Sequence, residues 1–449
     1  MLNQSFSHEN LFKIYVKENR KGNDLAVRFF PEAIEKHKKI KKAKDLIRAM
    51  YSRKVNSKSD YFKERISLIY RIIRKIKQEK NELIRQKLEE ISNKISQKNY
   101  RLQIRKGPTR VNNKDVFVVD NSPESFFAEK QIQRNIKKTF NVKQKNRDLI
   151  IPQIRSLLDD SFQKYFIKTD IKEFYESIDS SHMKRKINQN SSLNIATKKI
   201  ITKLLKDYES LTGENKGIPR GIGISAYLAE LYMKDFDDYI NSLEGVLYYA
   251  RYVDDIVLIT TPSLGKDPGF YLNVIKDFLK SQNLEIHESE KTLAKDTKKD
   301  KNFEFEYLGY KFNKNKGKTT LTISNKRLNK YKARIKNILS QYEKNSKKQP
   351  KKSKSELFIR LKFLTTNSRL SNNKGNAFIG VYNSNKWVTD SKFTKILDGF
   401  LKGEASRRIK DKKLRNRVFK FSFKESFDNR RFSNFGEKEY RIIGGIWKS

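Results

Sequence analysis

Leu247-Tyr248-Tyr249-Ala250-Arg251-Tyr252-Val253 leads into Asp254-Asp255, and Ile256-Val257-Leu258-Ile259-Thr260 follows. β-Branched and aromatic residues dominate both flanks, so the stretch reads as a β-hairpin with two carboxylates at its bend. Adjacent acids beside apolar strands are costly to bury unless a cation neutralises them. A second strand-like run, Tyr165-Phe166-Ile167-Lys168-Thr169, ends in a lone acid, Asp170. Three carboxylates at strand ends supply the oxygen-only ligands that Mg²⁺ takes. Two such ions can clamp the attacking and leaving oxygens of an in-line phosphoryl displacement. Without a cation, Asp254-Asp255 is a solvated turn and Asp170 a helix cap.

Further motifs stand in order around these acids. They are Asp170-Ile171-Lys172-Glu173-Phe174-Tyr175, Gly217-Ile218-Pro219-Arg220-Gly221-Ile222-Gly223-Ile224-Ser225, Tyr252-Val253-Asp254-Asp255, Asn283-Leu284-Glu285-Ile286-His287 with Lys291-Thr292, and Tyr307-Leu308-Gly309-Tyr310. Pro219-Arg220-Gly221 reads as a tight turn before a helix, with Ser225 as its N-cap. Gly221 and Gly223 would let the backbone approach a base or sugar.

In order and spacing this set resembles the palm motifs of reverse transcriptases, over roughly residues 100–315. The resemblance implies an α+β right-hand polymerase with an antiparallel palm sheet, a helical N-terminal region and a basic C-terminal extension. It implies two Mg²⁺ ions, with Mn²⁺ as a substitute, on Asp170, Ile171, Asp254 and Asp255. Ile171 can offer only its main chain. Tyr175 would be the steric gate that rejects a ribose 2′-OH, and Lys291 the acid that protonates pyrophosphate. Arg220, Gly221 and Ser225 would shape the nucleotide pocket. The run Ser225-Ala226-Tyr227-Leu228-Ala229-Glu230-Leu231-Tyr232 resembles the abortive-infection and defence-associated enzymes of bacteria, as do Ser122-Pro123-Glu124 and the stretch Leu361 to Leu370.

The formal net charge of +47 on 449 residues points to a polyphosphate partner, because Lys and Arg contacts with phosphate release counterions. Abundant Lys, Asn and Ile also fit an AT-rich genome. The absence of cysteine excludes disulfides and cysteine zinc fingers. His8, His37, His182 and His287 are scattered and read as surface or satisfied residues. No apolar run approaches the ~20 residues that span a bilayer, and Met1-Leu2-Asn3-Gln4-Ser5 does not resemble a signal peptide. A bacterial cytoplasm is the expected location.

Residues 1–97 read as a basic helical region, with one long helix over 60–97 whose apolar stripe either packs internally or mediates self-association. Residues 98–160 would be fingers. There Arg101, Arg105, Lys106 and Arg110 form a basic loop for an incoming triphosphate, and Arg147 is a further candidate. Residues 161–323 would be the palm. Residues 324–355 would be a thumb helix capped by Ser324, with a basic face of Lys326, Arg327, Lys330, Lys332, Arg334 and Lys336, then a mobile loop from Lys344 to Ser355. Residues 356–449 form the extension. Its interleaved Phe419, Phe421, Phe423, Phe427, Arg430, Arg431, Phe432, Phe435 and Trp447 suit either a small core or stacking on single-stranded bases.

The expected function is RNA-directed, or untemplated, DNA synthesis in anti-phage defence. The partners expected are dNTPs, an RNA template or noncoding RNA, the DNA product, a partner protein and a second copy of the chain. A mobile-element enzyme of intron type and a catalytically silent nucleic-acid scaffold are the alternatives.

Overall fold

The computed structural model describes residues 2–52, 59–111, 113–288, 291–370 and 377–447. They gather into two compact units, one of Met1–Gln144, Lys172–Tyr239 and Phe278–Glu285, the other of Lys145–Ile171, Ile240–Asp277 and Ile286–Ser449.

The first unit is mostly helical. Its long helix, Asp60–Ser96, is capped by Ser59, whose side chain accepts from Phe62 N at 3.3 Å. Phe62, Ile66 and Ile73 pack on Ile40 and Ile47 of the helix Ile34–Ser52. The stripe then changes phase, and Ile84, Leu88, Ile91 and Ile95 are buried as well. The helix touches His8–Arg20, Ile34–Ser52 and Pro123–Thr139, so it has packing partners inside its own unit. The expected basic loop is instead a strand. β1 (Ile104–Val111) pairs antiparallel with β2 (Lys114–Val119), with a bulge between Lys106 and Arg110. Gly107 permits that closure, since a Cβ there would lie 2.9 Å from the Val116 carbonyl. Two further helices are Ser180–Gln189 and Ile195–Thr212, the second capped by Asn194.

The second unit holds β3 (Tyr165–Asp170), β4 (Val246–Tyr252), β5 (Asp255–Thr260) and β6 (Leu293–Asp296) in one antiparallel sheet, in the spatial order β4-β5-β3-β6. All six residues of β3 are buried, as befits an interior strand. The helix Arg147–Asp159 contributes Ile150, Ile151, Ile154 and Leu158 to a core with Phe166, Val257 and Ile259. β7 (Asn302–Tyr307), β8 (Tyr310–Asn315) and β9 (Lys318–Ile323) form a separate antiparallel sheet whose Phe305, Phe312 and Leu321 join that core. The α+β class with antiparallel sheets and a helical N-terminal region is as expected.

Ser324 caps the helix Asn325–Ser346 through Arg327 N. Tyr331, Ile335, Ile338 and Leu339 bury one face of it against the helices Pro350–Thr365 and Lys392–Arg408. Two expectations fail here. Arg327 turns inward to the Leu308 and Ser384 carbonyls and to Asn385 Oδ1, so it leaves the basic face. Lys344–Ser355 is largely helical, because the next helix starts at Pro350. A proline at a first helical position forfeits no hydrogen bond. β10 (Asn367–Leu370) and β11 (Ala377–Gly380) make a short hairpin. Among the tail aromatics, Phe423 is fully buried and Phe419, Phe421 and Phe427 pack on the same core. The Trp447 side chain lies outside the described residues. No described helix is long and apolar enough to cross a membrane.

Candidate active site

β3 pairs with β5 in a register that sets Asp170 opposite Asp255. β5 also pairs with β4, Tyr252 opposite Asp255, which leaves Val253 and Asp254 as a two-residue loop. Val253 has φ +63°, a left-handed conformation disfavoured for a β-branched residue. Neighbouring bonds hold it there. Buried Arg251 donates from Nη1 to the Val253 carbonyl at 2.9 Å, and Ile171 N donates to the Asp254 carbonyl at 3.1 Å. His287 N donates to the Asp170 carbonyl at 2.8 Å. The consequence is convergence: one carboxylate oxygen from each of Asp170, Asp254 and Asp255 lies within 4.8 Å of the others.

Asp170 is buried, and the other two are half-buried. Burial, then the charges of Asp254 and Asp170, push the Asp255 carboxyl up to about 7, against the opposing pull of Lys168 and Lys291. Lys291 Nζ donates to Asp170 Oδ2 at 2.8 Å, and His287 Nε2 lies 3.7 Å from the same oxygen. Lys168 is buried, donates to the Lys291 carbonyl at 2.8 Å, and is lowered below its ordinary value by that burial. Three clustered carboxylates that cannot all ionise comfortably, with oxygen donors alone, fit a hard divalent cation.

The other expected residues lie in the first unit, except Arg147, which begins the helix Arg147–Asp159 of the second. The Tyr175 carbonyl accepts from Ile218 N at 2.8 Å, and the Arg220 guanidinium sits 5.1 Å from the Tyr175 ring centroid. Arg220 holds Glu176 with two bonds of 2.9 Å, and Arg110 pairs with Asp115 at 2.8 Å. Arg105 is exposed on β1. Gly221 serves the protein before any ligand. It has φ +101°, and a Cβ there would lie 2.5 Å from Val116 Cγ1 and 2.7 Å from the Phe117 carbonyl. Ser225 is not an N-cap: the helix Gly223–Tyr232 starts earlier, and the buried Ser225 hydroxyl donates to the Pro219 carbonyl at 2.6 Å.

Lys168, Arg251 and the main chain of His287 belong to the acidic site but escaped sequence reasoning. The signal was present for two of them. Lys168 and Arg251 each interrupt an apolar strand near an acid, where a buried cation needs a reason.

Residues 125–312 match the family described as reverse transcriptase (RNA-dependent DNA polymerase), a span that takes in β3, the hairpin, Lys291 and Tyr310. Over this segment, which is less than half of the chain, the sequence is similar to a reverse transcriptase domain. The chain is also similar to solved telomerases. Apo telomerase from Candida tropicalis, truncated of its C-terminal domain, is 15% identical over 50% of this chain and 55% of that one, with a TM-score of 0.36. Telomerase from Candida albicans with a fragment of telomeric RNA is 14% identical over 79% and 67%, with a TM-score of 0.35. Apo telomerase from Candida tropicalis is 13% identical over 77% and 61%, with a TM-score of 0.40. The chain thus spans little more than half of the first of these relatives. No curated protein matches it.

Proposed function

We propose that the reverse transcriptase domain synthesises DNA from dNTPs on an RNA template, with Asp170, Asp254 and Asp255 as ligands of two divalent cations, Mg²⁺ or Mn²⁺, and Ile171 contributing its main chain. The convergence of the three carboxylates within 4.8 Å, on strands whose register fixes them there, carries this proposal. Bound there, the cations would acidify a primer 3′-hydroxyl and neutralise the departing pyrophosphate. Asp170 and Asp255 present carboxylates from paired strands, and Asp254 does so from the loop between β4 and β5. Lys291, already in hydrogen-bond reach of Asp170, is the proposed proton donor to the leaving group. Tyr175 is proposed to exclude the ribose 2′-OH, with Arg220, Gly221, Ser225, Arg105 and Arg110 around the nucleotide. Changing Asp254 and Asp255 together to Ala abolishes dNTP incorporation and leaves the circular dichroism spectrum unchanged on this proposal. Persisting incorporation would remove the site assignment.

We further propose a role in bacterial anti-phage defence, in the cytoplasm, with a noncoding RNA or a partner protein and assembly with further copies of the chain. The run Ser225 to Tyr232 and the stretch Leu361 to Leu370 support it through their resemblance to defence-associated enzymes. Sequencing the DNA made by the purified protein tests it. Repetitive or untemplated product supports defence, and long cDNA of the bound RNA supports a mobile element.

A further inference from the structure

In the C-terminal part of the second unit, a cavity of about 310 Å³ opens beside the helix Pro350–Thr365. Phe358 and Phe421 line it, with ring centroids 5.9 Å apart and planes at 32°. Four cations line it too, Lys362, Arg417, Lys420 and Arg431, and no acid does. Arg431 is tied to Glu425 at 3.3 Å, and Arg417 lies 4.4 Å over the Phe358 ring. Lys362, Arg417 and Lys420 have no ion-pair partner among the described residues, although Glu356 shares a helix with Lys362 and pairs with Arg360 instead.

The cavity is built rather than accidental. Asn367 N donates to the Arg431 carbonyl at 2.9 Å, and Ser433 N donates back to the Asn367 carbonyl at 2.8 Å. These bonds stitch the segment 431–433 to β10 and fix one wall. Asp398 accepts from the Ser422 hydroxyl and from Phe423 N, which fixes the turn that carries Lys420 and Phe421. Ser426 and Ser433, both buried, add hydroxyls to the lining.

Unpaired cations and hydroxyls suit a phosphate. Aromatic faces beside them suit a base, which stacks on any flat ring whatever its sequence. The volume lies near the lower end of the ~300–1,000 Å³ typical of small-molecule sites and suits one nucleotide, not a duplex. We propose that this cavity is a nucleoside-phosphate site that shares no residue with the acidic triad. Its ligand is one phosphorylated nucleotide, either free or at the end of a single strand.

The test labels the full-length chain in EDTA with 8-azidoadenosine 5′-monophosphate and maps the adduct by peptide mass. EDTA removes the divalent cations, so the outcome is independent of polymerase activity. Adducts are expected within residues 358–366 and 417–433. Adenosine, which lacks the phosphate, should compete about tenfold or more less well than AMP, the loss expected when charge-assisted hydrogen bonds are removed. Lys362→Ala with Lys420→Ala, both exposed, should cut labelling by a similar factor, whereas Lys395→Ala with Lys402→Ala on the exposed face of the helix Lys392–Arg408 should not. If a 5′-phosphorylated oligonucleotide competes better than AMP, the natural ligand is a strand end; if worse, it is a free nucleotide; both support the site. Adducts scattered over the lysine-rich surface, equal competition by adenosine, or labelling indifferent to the Lys362 and Lys420 changes would overturn it.

Discussion

Lys291 Nζ donates to Asp170 Oδ2 at 2.8 Å, across a separation of 121 residues. The ammonium therefore gives the buried Asp170 carboxylate a positive neighbour. On the proposed assignment it would compete with a divalent cation for that oxygen.

Lys291→Ala should separate two effects. Removing the competing charge should let the protein take up Mn²⁺ at lower concentration, read by electron paramagnetic resonance. Loss of the proton donor should lower turnover by about 10²-fold or more. Weaker Mn²⁺ uptake together with normal turnover would remove Lys291 from the chemistry.

The Asp255 carboxyl, pushed up to about 7, makes stability depend on pH. Its folded value lies above its unfolded one, so the protonated form favours folding. That contribution is full below the unfolded carboxylate range near 4 and is lost as pH rises through about 7. Divalent cations bind the ionised form and reverse the trend. Thermal melts with and without MgCl₂ should show a larger gain at about pH 8 than at about pH 5.5. Asp255→Asn should flatten the cation-free profile over that range.

Gly221→Ala should destabilise the first unit. The added Cβ would lie 2.5 Å from Val116 Cγ1 and 2.7 Å from the Phe117 carbonyl, on a backbone with φ +101°. A loss of about 1–3 kcal/mol in urea unfolding is expected, from backbone strain together with overpacking. An unchanged midpoint would show that β2 can withdraw from the turn.

Val253→Gly relaxes a left-handed residue of φ +63° and should leave stability within about 1 kcal/mol of the parent or raise it. Incorporation should nevertheless fall, because the loop that presents Asp254 becomes looser. A stable variant with full activity would show that the strained turn is not needed to aim the acid.

β3, β4 and β5 were legible because they are apolar runs closed by charge, Tyr165 to Asp170 and Leu247 to Thr260 around two acids, whereas the short β6, Leu293-Ala294-Lys295-Asp296, carries no such signal. Their spatial order, β4-β5-β3-β6, was not, since β3 precedes β4 in the chain yet inserts between β5 and β6. Arg101 to Arg110 looked like a loop because Gly107-Pro108 punctuates it, but a β-bulge accommodates the punctuation within a strand. Pro350 marked a helix start where a lysine run suggested a loop. Ser225 had the right type for a cap, but the helix begins at Gly223. Lys168 interrupts an apolar run beside an acid, a signal passed over among so many lysines. Only the pairing of β3 with β5 and β6 reveals that it is buried beside the acids.

Anomalous diffraction from crystals of the full chain grown with Mn²⁺ and a dNTP tests the central claim most directly. Two strong peaks should appear among the carboxylates of Asp170, Asp254 and Asp255 and should vanish when Asp254 and Asp255 are both changed to Ala. Peaks located elsewhere, from a preparation that incorporates dNTPs, would contradict the assignment of these three acids as the cation ligands.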